Sequence, residues 1–248
     1  MVAIYVVVTA ITVGVGSLLL NRAWPDEVGQ ATPEYRVKSW VRSALPMMFM
    51  GGMQIINNRT DILMLGALKG AAAVGVYVVV NRCTQPITFM LGAVNSVMAP
   101  NIASLYVEGK SEQIQRVVTK ITRLITLISL TCATILIIFG ESVLSLFGSD
   151  FIQGRTALVI LSMGQVIHGA TGSNGLLLTM TGYEHYSAMI MATSALLNVI
   201  GNAILIPNWR IEGAAIATAS STIIVNILRV IWVRKKLGID STFLGKLI

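Results

Sequence analysis

Long apolar blocks without charge recur along the whole chain. Residues 2–20 and 125–140 contain no charged residue, and their apolar positions form continuous blocks, not a stripe with a 3.6-residue period. Lipid cannot satisfy backbone N–H and C=O groups, so a segment that crosses it has to be helical. Crossing about 30 Å of hydrocarbon takes roughly 20 residues, and this predicts an all-α, polytopic membrane helical bundle of about seven transmembrane helices. The predicted spans are residues 2–20, 43–67, 73–101, 121–140, 155–181, 186–206 and 211–233.

Three of these spans have unusual boundaries. The third is too long for one straight crossing and contains Pro86 and Pro100. Proline lacks a backbone donor, so we expect each to kink or end the helix. The fifth and sixth spans are separated only by GYEHYS, residues 182–187, which predicts a tight hairpin loop.

Composition agrees with a membrane protein. Hydrophobic residues make up 54% of the 248 positions and charged residues only 12%, whereas a soluble domain has about 25% charged residues. Thirteen of the 18 Lys and Arg fall in the alternate segments 21–42, 102–123 and 229–248. Basic loops stay in the cytoplasm. The pattern therefore predicts a multi-pass protein of the inner (plasma) membrane with a cytoplasmic C-terminus, and the net charge of +7 requires no nucleic-acid partner.

The same topology places Met1 outside the cell. The first apolar block has no basic segment before it and is followed by NRAWPDE, which is not a small-residue cleavage site. We therefore expect the chain to be a fragment whose first span belongs to a preceding bundle.

Catalytic and metal-binding patterns are absent from the sequence. Cys83 and Cys132 fall inside spans and are interpreted as small packing residues. The chain has two histidines, and we interpret His168 as a hydrogen-bonded histidine of the bundle interior. We find no nucleotide-binding loop and no nucleophile elbow. The sequence predicts no catalytic residue, no metal and no cofactor.

Polar residues at membrane depth form the main candidate site. On a helical wheel with about 100° per residue, Gln54, Asn57, Asn58 and Asp61 form one stripe of the second span, and Arg59 lies almost opposite to it.

A second stripe follows in the third span. Its members, Val78, Asn81, Arg82, Gln85 and Phe89, lie within about 100° of one another.

The two spans form a hairpin, which brings the two stripes together. A turn near residues 70 and 71 places Arg59 level with Arg82, and Asp61 within one helical turn of it. A lone charge in mid-membrane costs at least about 2.5–3.5 kcal/mol and usually faces a bundle interior or a wet cavity. In one interpretation Asp61 and Arg82 only neutralise each other and hold the hairpin together. In the other, the stripes line a solvated cavity with excess positive charge that attracts an anionic substrate. The candidate substrate-binding residues are Arg59, Asp61, Arg82, Asn57, Asn58, Asn81 and Gln85.

Other polar residues of the spans are interpreted as interhelical hydrogen-bonding groups. These are Gln165, His168, Asn174, Asn198, Asn202 and Asn226. The small residues of 213–222 predict a close helix–helix contact.

Five local patterns in order resemble the C-terminal half of a polysaccharide-biosynthesis flippase. This family belongs to the multidrug/oligosaccharidyl-lipid/polysaccharide exporter superfamily. The patterns are RTDILMLGALKGAAAVGVYVVVNR (59–82), VMAPNIASLYVEGK (97–110), FGSDFIQGRTALVILSMGQ (147–165), LTMTGYE (178–184) and LNVIGNAILIPNWRIEGAAIATASS (197–221).

The resemblance implies two six-helix lobes. Residues 1–20 would be the last helix of a truncated N-terminal lobe, 21–42 the cytoplasmic linker, 43–236 the C-terminal lobe and 237–248 a cytoplasmic tail. The partners implied are a polyprenyl-pyrophosphate-linked glycan, the lipid bilayer and the missing N-terminal lobe. Translocation by alternating access would supply cell-surface polysaccharide such as the O-antigen of lipopolysaccharide, without enzymatic chemistry.

Three alternatives remain at this point. A multidrug or cation antiporter of the same superfamily would favour carboxylates, and Asp61 is the only acidic residue in the interior of a span, since Glu212 lies at the edge of the seventh. A membrane-embedded polysaccharide-synthesis enzyme would need a large external loop, whereas residues 141–154 are the longest outer connection. A scaffold that assists another flippase is the third.

Overall fold

The protein is all-α over the part of the chain that the computed structural model describes, residues 2–23, 35 and 37–245. These residues form seven α-helices and one 3-10 helix, without a strand. The helices are α1 (Val2–Ala23), α2 (Val37–Lys69), α3 (Ala71–Val107), α4 (Ser111–Ser145), the 3-10 helix (Ser149–Gly154), α5 (Arg155–Thr171), α6 (Asn174–Met180) and α7 (Glu184–Leu237). The predicted helical bundle is confirmed. Most of the predicted linker 21–42 lies outside the described residues.

The chain divides into two compact units, Met1–Ser43 and Ala44–Ile248. The first contains α1, whose side chains at residues 6–20 are all exposed. The second contains α3 to α7 and most of α2. The assignment of the two parts to different lobes of a transporter stays a prediction.

Three described helices, α3, α4 and α7, are long and apolar enough to cross a membrane, and the segment Val6–Leu20 is a shorter apolar helix. The outer face of α4 suits lipid. Its exposed large side chains are Leu124, Leu127, Leu130, Ile135, Ile138 and Phe139. Thr131 and Thr134 are also exposed, but their hydroxyls donate to carbonyls of their own helix, so no polar group there needs water.

The hairpin of α2 and α3 is confirmed, with its turn at Gly70. The two helices pack closely near the turn. A Cβ built at Gly66 would lie 3.3 Å from Cγ2 of Val74. The expectation that a proline ends the third span is wrong, because α3 continues through both Pro86 and Pro100 to Val107.

The prediction that residues 155–181 form a single helix is wrong. It breaks after Thr171, and a short helix, α6, follows. At the break Gly172 has φ 72°, and a Cβ there would lie 2.5 Å from the carbonyl oxygen of Ser241. The C-terminal segment occupies that space, so a side chain at position 172 would meet both backbone strain and a tertiary contact.

The predicted sixth and seventh spans form one hairpin within α7. Arg210 interrupts the helix with φ 46° and ψ −119°, a conformation that residues other than glycine rarely adopt. The two arms, residues 184–209 and 211–237, then run antiparallel. A Cβ at Gly213 would lie 2.4 Å from the carbonyl oxygen of Leu205, so the expected close contact of small residues is confirmed.

Two apolar cores lie at opposite ends of this unit. The first surrounds the two hairpin turns and includes Leu65, Tyr77, Leu158 and Ile206. The second joins the far ends of α3, α6 and α7 to the beginning of α4, and includes Met98, Ile114, Leu177, Val225 and Val233.

The predicted tail, 237–248, begins as a docked segment. Gln115 of α4 donates to the carbonyl of Asp240 and accepts from its N–H, at 2.8 and 2.7 Å. The N–H of Phe243 donates to the carbonyl of Ala170 in α5 at 3.0 Å.

Asp240 also fixes the conformation of this segment. Partial burial alone would raise the pKa of its carboxyl, but hydrogen bonds from Thr242 and the charge of Arg234 outweigh it and hold the pKa below its ordinary value. A lowered pKa means that the ionised carboxylate stabilises the folded state at neutral pH, and that this contribution is lost only as the pH falls through the folded-state pKa, below 3.8.

Candidate functional site

A polar cavity of about 870 Å³ lies between α2, α3, α5 and both arms of α7. Its α2 wall approaches the other helices less closely than they approach one another. Most of its lining residues are polar. They are Gln54, Ile55, Asn57, Asn58, Arg59, Asp61 and Ile62 of α2; Val78, Asn81, Arg82, Thr84, Gln85 and Thr88 of α3; Gln165 and His168 of α5; and Met191, Ser194, Asn198, Thr218, Ser221, Thr222, Val225, Asn226 and Arg229 of α7.

All seven residues proposed from the sequence line this cavity: Arg59, Asp61, Arg82, Asn57, Asn58, Asn81 and Gln85. Arg59 belongs to the lining although the helical wheel placed it opposite the stripe. Both Arg59 and Arg82 are exposed. Phe89, the last residue of the predicted stripe on α3, is 75% exposed and is not part of the lining.

Asp61 is the buried centre of one wall, with 1% of its surface exposed. The hydroxyl of Tyr77 donates to its carboxylate at 2.7 Å, and the hydroxyl of Thr218 lies 3.4 Å away. The N–H of Ile62 donates to its other oxygen at 2.8 Å. Asp61 therefore connects α2 to α3 and to the second arm of α7.

The interpretation that Asp61 and Arg82 neutralise each other finds no support in this geometry. Ion pairs among the described residues join Lys110 to Glu108, Arg116 to Glu112, Arg155 to Glu141, and Arg234 to Asp240. None of them includes Arg59 or Arg82. The carboxylate of Asp61 is held by hydroxyl groups, and the positive charge of the cavity wall is left without a paired carboxylate.

Four of the six residues interpreted as interhelical hydrogen-bonding groups line the cavity: Gln165, His168, Asn198 and Asn226. Asn198 donates to hydroxyls of Thr218 and Ser221 at 3.2 and 3.4 Å, so it joins the two arms of α7. Nδ1 of His168 lies 3.1 Å from Oδ1 of Asn226, which joins α5 to α7.

The other three members of that set differ in their surroundings. Asn174 also donates to Asn226, at 3.3 Å. Asn202 donates to Asn198 within the first arm of α7. Gln165 lines the cavity.

Arg229 is the site residue that the sequence analysis missed. It was counted with the basic cytoplasmic segment 229–248, but it lies within the second arm of α7 and lines the cavity. A signal was present, because Thr218, Thr222, Asn226 and Arg229 follow one another at helical spacing on a single face.

The cavity wall is therefore cationic. Three arginines line it against one carboxylate, and that carboxylate accepts hydrogen bonds from its own neighbours. The remaining polar groups are amides, hydroxyls and one imidazole. Such a surface is suited to a ligand that carries both negative charge and many hydroxyl groups.

Known proteins that resemble this chain are longer than it is. A "Probable low-salt glycan biosynthesis flippase Agl15" of Haloferax volcanii is 25% identical over 169 residues, which are 68% of this chain and 36% of that protein. An "Uncharacterized membrane protein MJ1068" of Methanocaldococcus jannaschii is 29% identical over 83% of this chain and 42% of its own length. A "Capsular polysaccharide biosynthesis protein CapF" of Staphylococcus aureus is 23% identical over 74% of this chain and 46% of its own length. The chain spans less than half the length of each of these relatives.

A solved structure shares the fold. It is a MOP superfamily transporter from Pyrococcus furiosus, whose description reports a reverse polarity of its binding pocket. The TM-score is 0.60 at 19% sequence identity, and the match covers 82% of this chain and 46% of the transporter. The helices of this chain are thus arranged as in part of that solved structure.

The family model described as "Polysaccharide biosynthesis protein" matches residues 3–153, more than half of the chain. The resemblance found in the ordered sequence patterns is confirmed by this match. The chain belongs to the polysaccharide biosynthesis protein family.

Proposed function

We propose that this chain forms one lobe of a flippase that moves a polyprenyl-pyrophosphate-linked oligosaccharide across the inner membrane for polysaccharide biosynthesis. The observation that carries the proposal is the cationic, amide- and hydroxyl-lined cavity between α2, α3, α5 and α7. The N-terminal lobe of such a transporter would supply the facing wall, and the two lobes would rock around the ligand in alternating access.

Arg59 and Arg82 are the groups that hold the pyrophosphate. Guanidinium offers a planar fork of donors that matches phosphate oxygens in pairs. Both side chains are exposed on the cavity wall and neither belongs to an ion pair of the described residues. An anionic ligand would supply the counter-charge that the wall lacks.

Asn57, Asn58, Asn81 and Gln85 are the groups that meet the sugars. An amide donates through its nitrogen and accepts through its oxygen, so it can replace the water that hydrates a sugar hydroxyl. Burying such a hydroxyl without a partner costs roughly 2–7 kcal/mol. A polar path removes most of that cost, and the polyprenyl chain can remain in lipid.

The buried carboxylate argues against cation antiport. A carboxylate that binds a coupling cation or a cationic drug has to be reachable, but Asp61 is 1% exposed and is covered by Tyr77 and Thr218. Translocation makes and breaks no covalent bond, so the proposal is a transporter and not an enzyme.

The test is glycan export by cells that depend on the transporter carrying this chain. Arg82→Ala should reduce export at least tenfold at unchanged protein level, since the charge that holds phosphate is gone. Arg82→Lys should retain partial export, because the charge survives without the bidentate geometry. Arg155→Ala is the matched control, since Arg155 forms an exposed ion pair with Glu141 worth about 0–1 kcal/mol.

Two outcomes would contradict the proposal. One is normal export by Arg82→Ala. The other is full recovery of export in the double variant Asp61→Ala, Arg82→Ala, because recovery would mean that the two residues only balance each other. A double variant that folds and still fails to export agrees with phosphate binding.

A further inference from the structure

Arg229 occupies an unusual place for a cation. Its Nε is buried and has no hydrogen-bond partner. None of the ion pairs of the described residues includes it. A Cβ at Gly175 would lie 3.4 Å from Cζ and Nη1 of Arg229, so α6 packs directly on the guanidinium. The side chain is held in place at the cavity wall without a counter-charge.

The neighbouring hydrogen bonds leave one imidazole nitrogen free for a ligand. Asn226 donates through Nδ2 to the carbonyl of Thr222, so its Oδ1 faces His168 and Asn174. An amide oxygen can only accept, and Nδ1 of His168 must therefore carry the hydrogen. Nε2 of His168 is then the unprotonated nitrogen, which can accept a hydrogen bond from a ligand hydroxyl or a protonated phosphate oxygen, and His168 lines the same cavity as Arg229.

Arg229 and Arg82 lie at different levels of the cavity. Tyr77 and Thr218 both meet the carboxylate of Asp61, so they mark one common level. The α3 helix and the second arm of α7 start at the same end, where Lys69 donates to the carbonyl of Pro207. Arg82 is five residues beyond Tyr77, and Arg229 is eleven residues beyond Thr218. At about 1.5 Å per residue, the Cα of Arg229 is roughly 9 Å farther from the turns.

We propose that Arg229 forms a second anion-binding position, which takes the phosphate groups of a lipid-linked ligand at the cavity end nearest the basic loops, while His168 accepts a hydrogen bond from a hydroxyl of the same ligand. The inference rests on the proposed function, because it adds a second anion-binding position to the same cavity. A phosphate-bearing headgroup that enters from that end reaches Arg229 first and Arg82 next. The cavity then has two positions for one kind of group.

The first experiment counts bound anions. The full chain in nanodiscs of neutral lipid is titrated with inorganic pyrophosphate, and bound equivalents are measured by native mass spectrometry. The unaltered protein should bind two equivalents, Arg229→Gln and Arg82→Gln one each, and the double variant none. Arg234→Gln is the control on the same helix, since Arg234 pairs with Asp240 outside the cavity, and it should bind two.

The second experiment separates a lipid headgroup from free phosphate. The Arg82→Gln variant is first loaded with inorganic pyrophosphate. Displacing this bound anion should take a lower concentration of a short-chain polyprenyl pyrophosphate than of further inorganic pyrophosphate. The neutral polyprenol should not displace it. Failure of the lipid to compete would overturn the assignment to a lipid-linked ligand.

A third measurement tests a purely structural role. Removing an unpaired interior cation should raise the thermal unfolding midpoint of the ligand-free protein, so Arg229→Gln should melt higher than the unaltered chain. A lower midpoint together with two bound equivalents would overturn the inference. If Arg229→Gln does not fold, Arg229→Lys serves instead, and pyrophosphate binding there as tight as in the unaltered chain would overturn it equally.

The outcomes distinguish this inference from the proposed function. If Arg229→Gln still binds two equivalents while Arg82→Gln binds one, the second position is wrong and the proposed function stands. If neither Arg229→Gln nor Arg82→Gln changes the number of bound equivalents, the second position and the proposed function are both wrong.

Discussion

At the scale of single residues, Asp61 differs from the other charged groups of the cavity. It is buried and bound by Tyr77, Thr218 and the N–H of Ile62, whereas Arg59 and Arg82 are exposed on the wall. A buried carboxylate costs free energy unless hydrogen bonds satisfy it. Asp61 thus contributes to folding through its partners, while the arginines are free to act on a ligand.

Replacing Tyr77 tests whether the hydrogen bonds of Asp61 stabilise the fold. Tyr77→Phe removes the shortest hydrogen bond to the carboxylate, and we expect a loss of about 1–3 kcal/mol in the free energy of unfolding. The measurement is thermal or denaturant unfolding in detergent. Tyr35→Phe makes the same chemical change at a side chain that is 74% exposed, and it should have little effect. Equal stability of the two variants would show that the Asp61–Tyr77 bond contributes nothing to the fold.

The sequence predicts the polar stripes better than it predicts their partners. Gln54, Asn57 and Asp61 follow from helical periodicity alone, because neighbours on one helix face are three or four positions apart. The contact of Asp61 with Thr218 joins positions 157 residues apart, and no local pattern specifies it. Arg229 was missed for a related reason, since its distance from a predicted span boundary said nothing about the direction of its side chain.

At the scale of elements, the hairpin of α7 shows how closely two helices can pack when small residues face each other. Gly213 lies against the backbone of Leu205, and the position of a Gly201 Cβ is 3.1 Å from Cβ of Ala217. In lipid, such close approach replaces the hydrophobic effect as a source of helix association.

A methyl group at Gly213 should disrupt that contact. The added Cβ of Gly213→Ala would lie 2.4 Å from a backbone oxygen, and backbone cannot move aside as a side chain can. We expect a lower unfolding midpoint and less folded protein, measured by size-exclusion chromatography in detergent. Gly92→Ala is the matched control, because nothing lies within 4 Å of a Cβ there. Identical yields and midpoints for both variants would contradict the close packing.

Two elements depart from what sequence periodicity predicts. Residues 155–181 are apolar enough for one span, but the helix ends at Thr171, where Gly172 lies against the carbonyl of Ser241, a contact that no local pattern specifies. Conversely, proline chemistry favours an end of α3 near Pro86, yet α3 continues through it, and the hydroxyl of Ser129 in α4 donates to the carbonyl of Ile87.

At the scale of the whole molecule, aromatic rings and lysines gather where α7 begins and ends. The rings of Tyr186 and Trp232 lie 4.2 Å apart, and Nζ of Lys236 is 5.3 Å from the ring of Tyr186. Such groups favour a membrane–water interface. This end of the molecule also carries Lys110 and Lys235, and the positive-inside pattern predicts that it is the cytoplasmic end.

Cysteine labelling tests that orientation, which stays a prediction. Cysteines introduced at Lys110 and Lys235 should be shielded from impermeant thiol reagents in intact cells, and one at Asn208, beside the α7 turn, should be labelled. All three positions are exposed, so access depends on the side of the membrane. Labelling of the first two and protection of the third would reverse the topology.

The docked segment that follows α7 has a consequence for biosynthesis. Residues 238–245 come after every helix of this unit in the chain, so they leave the ribosome last among them. Until then the amide of Gln115 and the hydroxyl of Thr122 lack their partners Asp240 and Ser241. The contacts that join this segment to α4 and α5 can consequently form only after the whole of α7 has been synthesised.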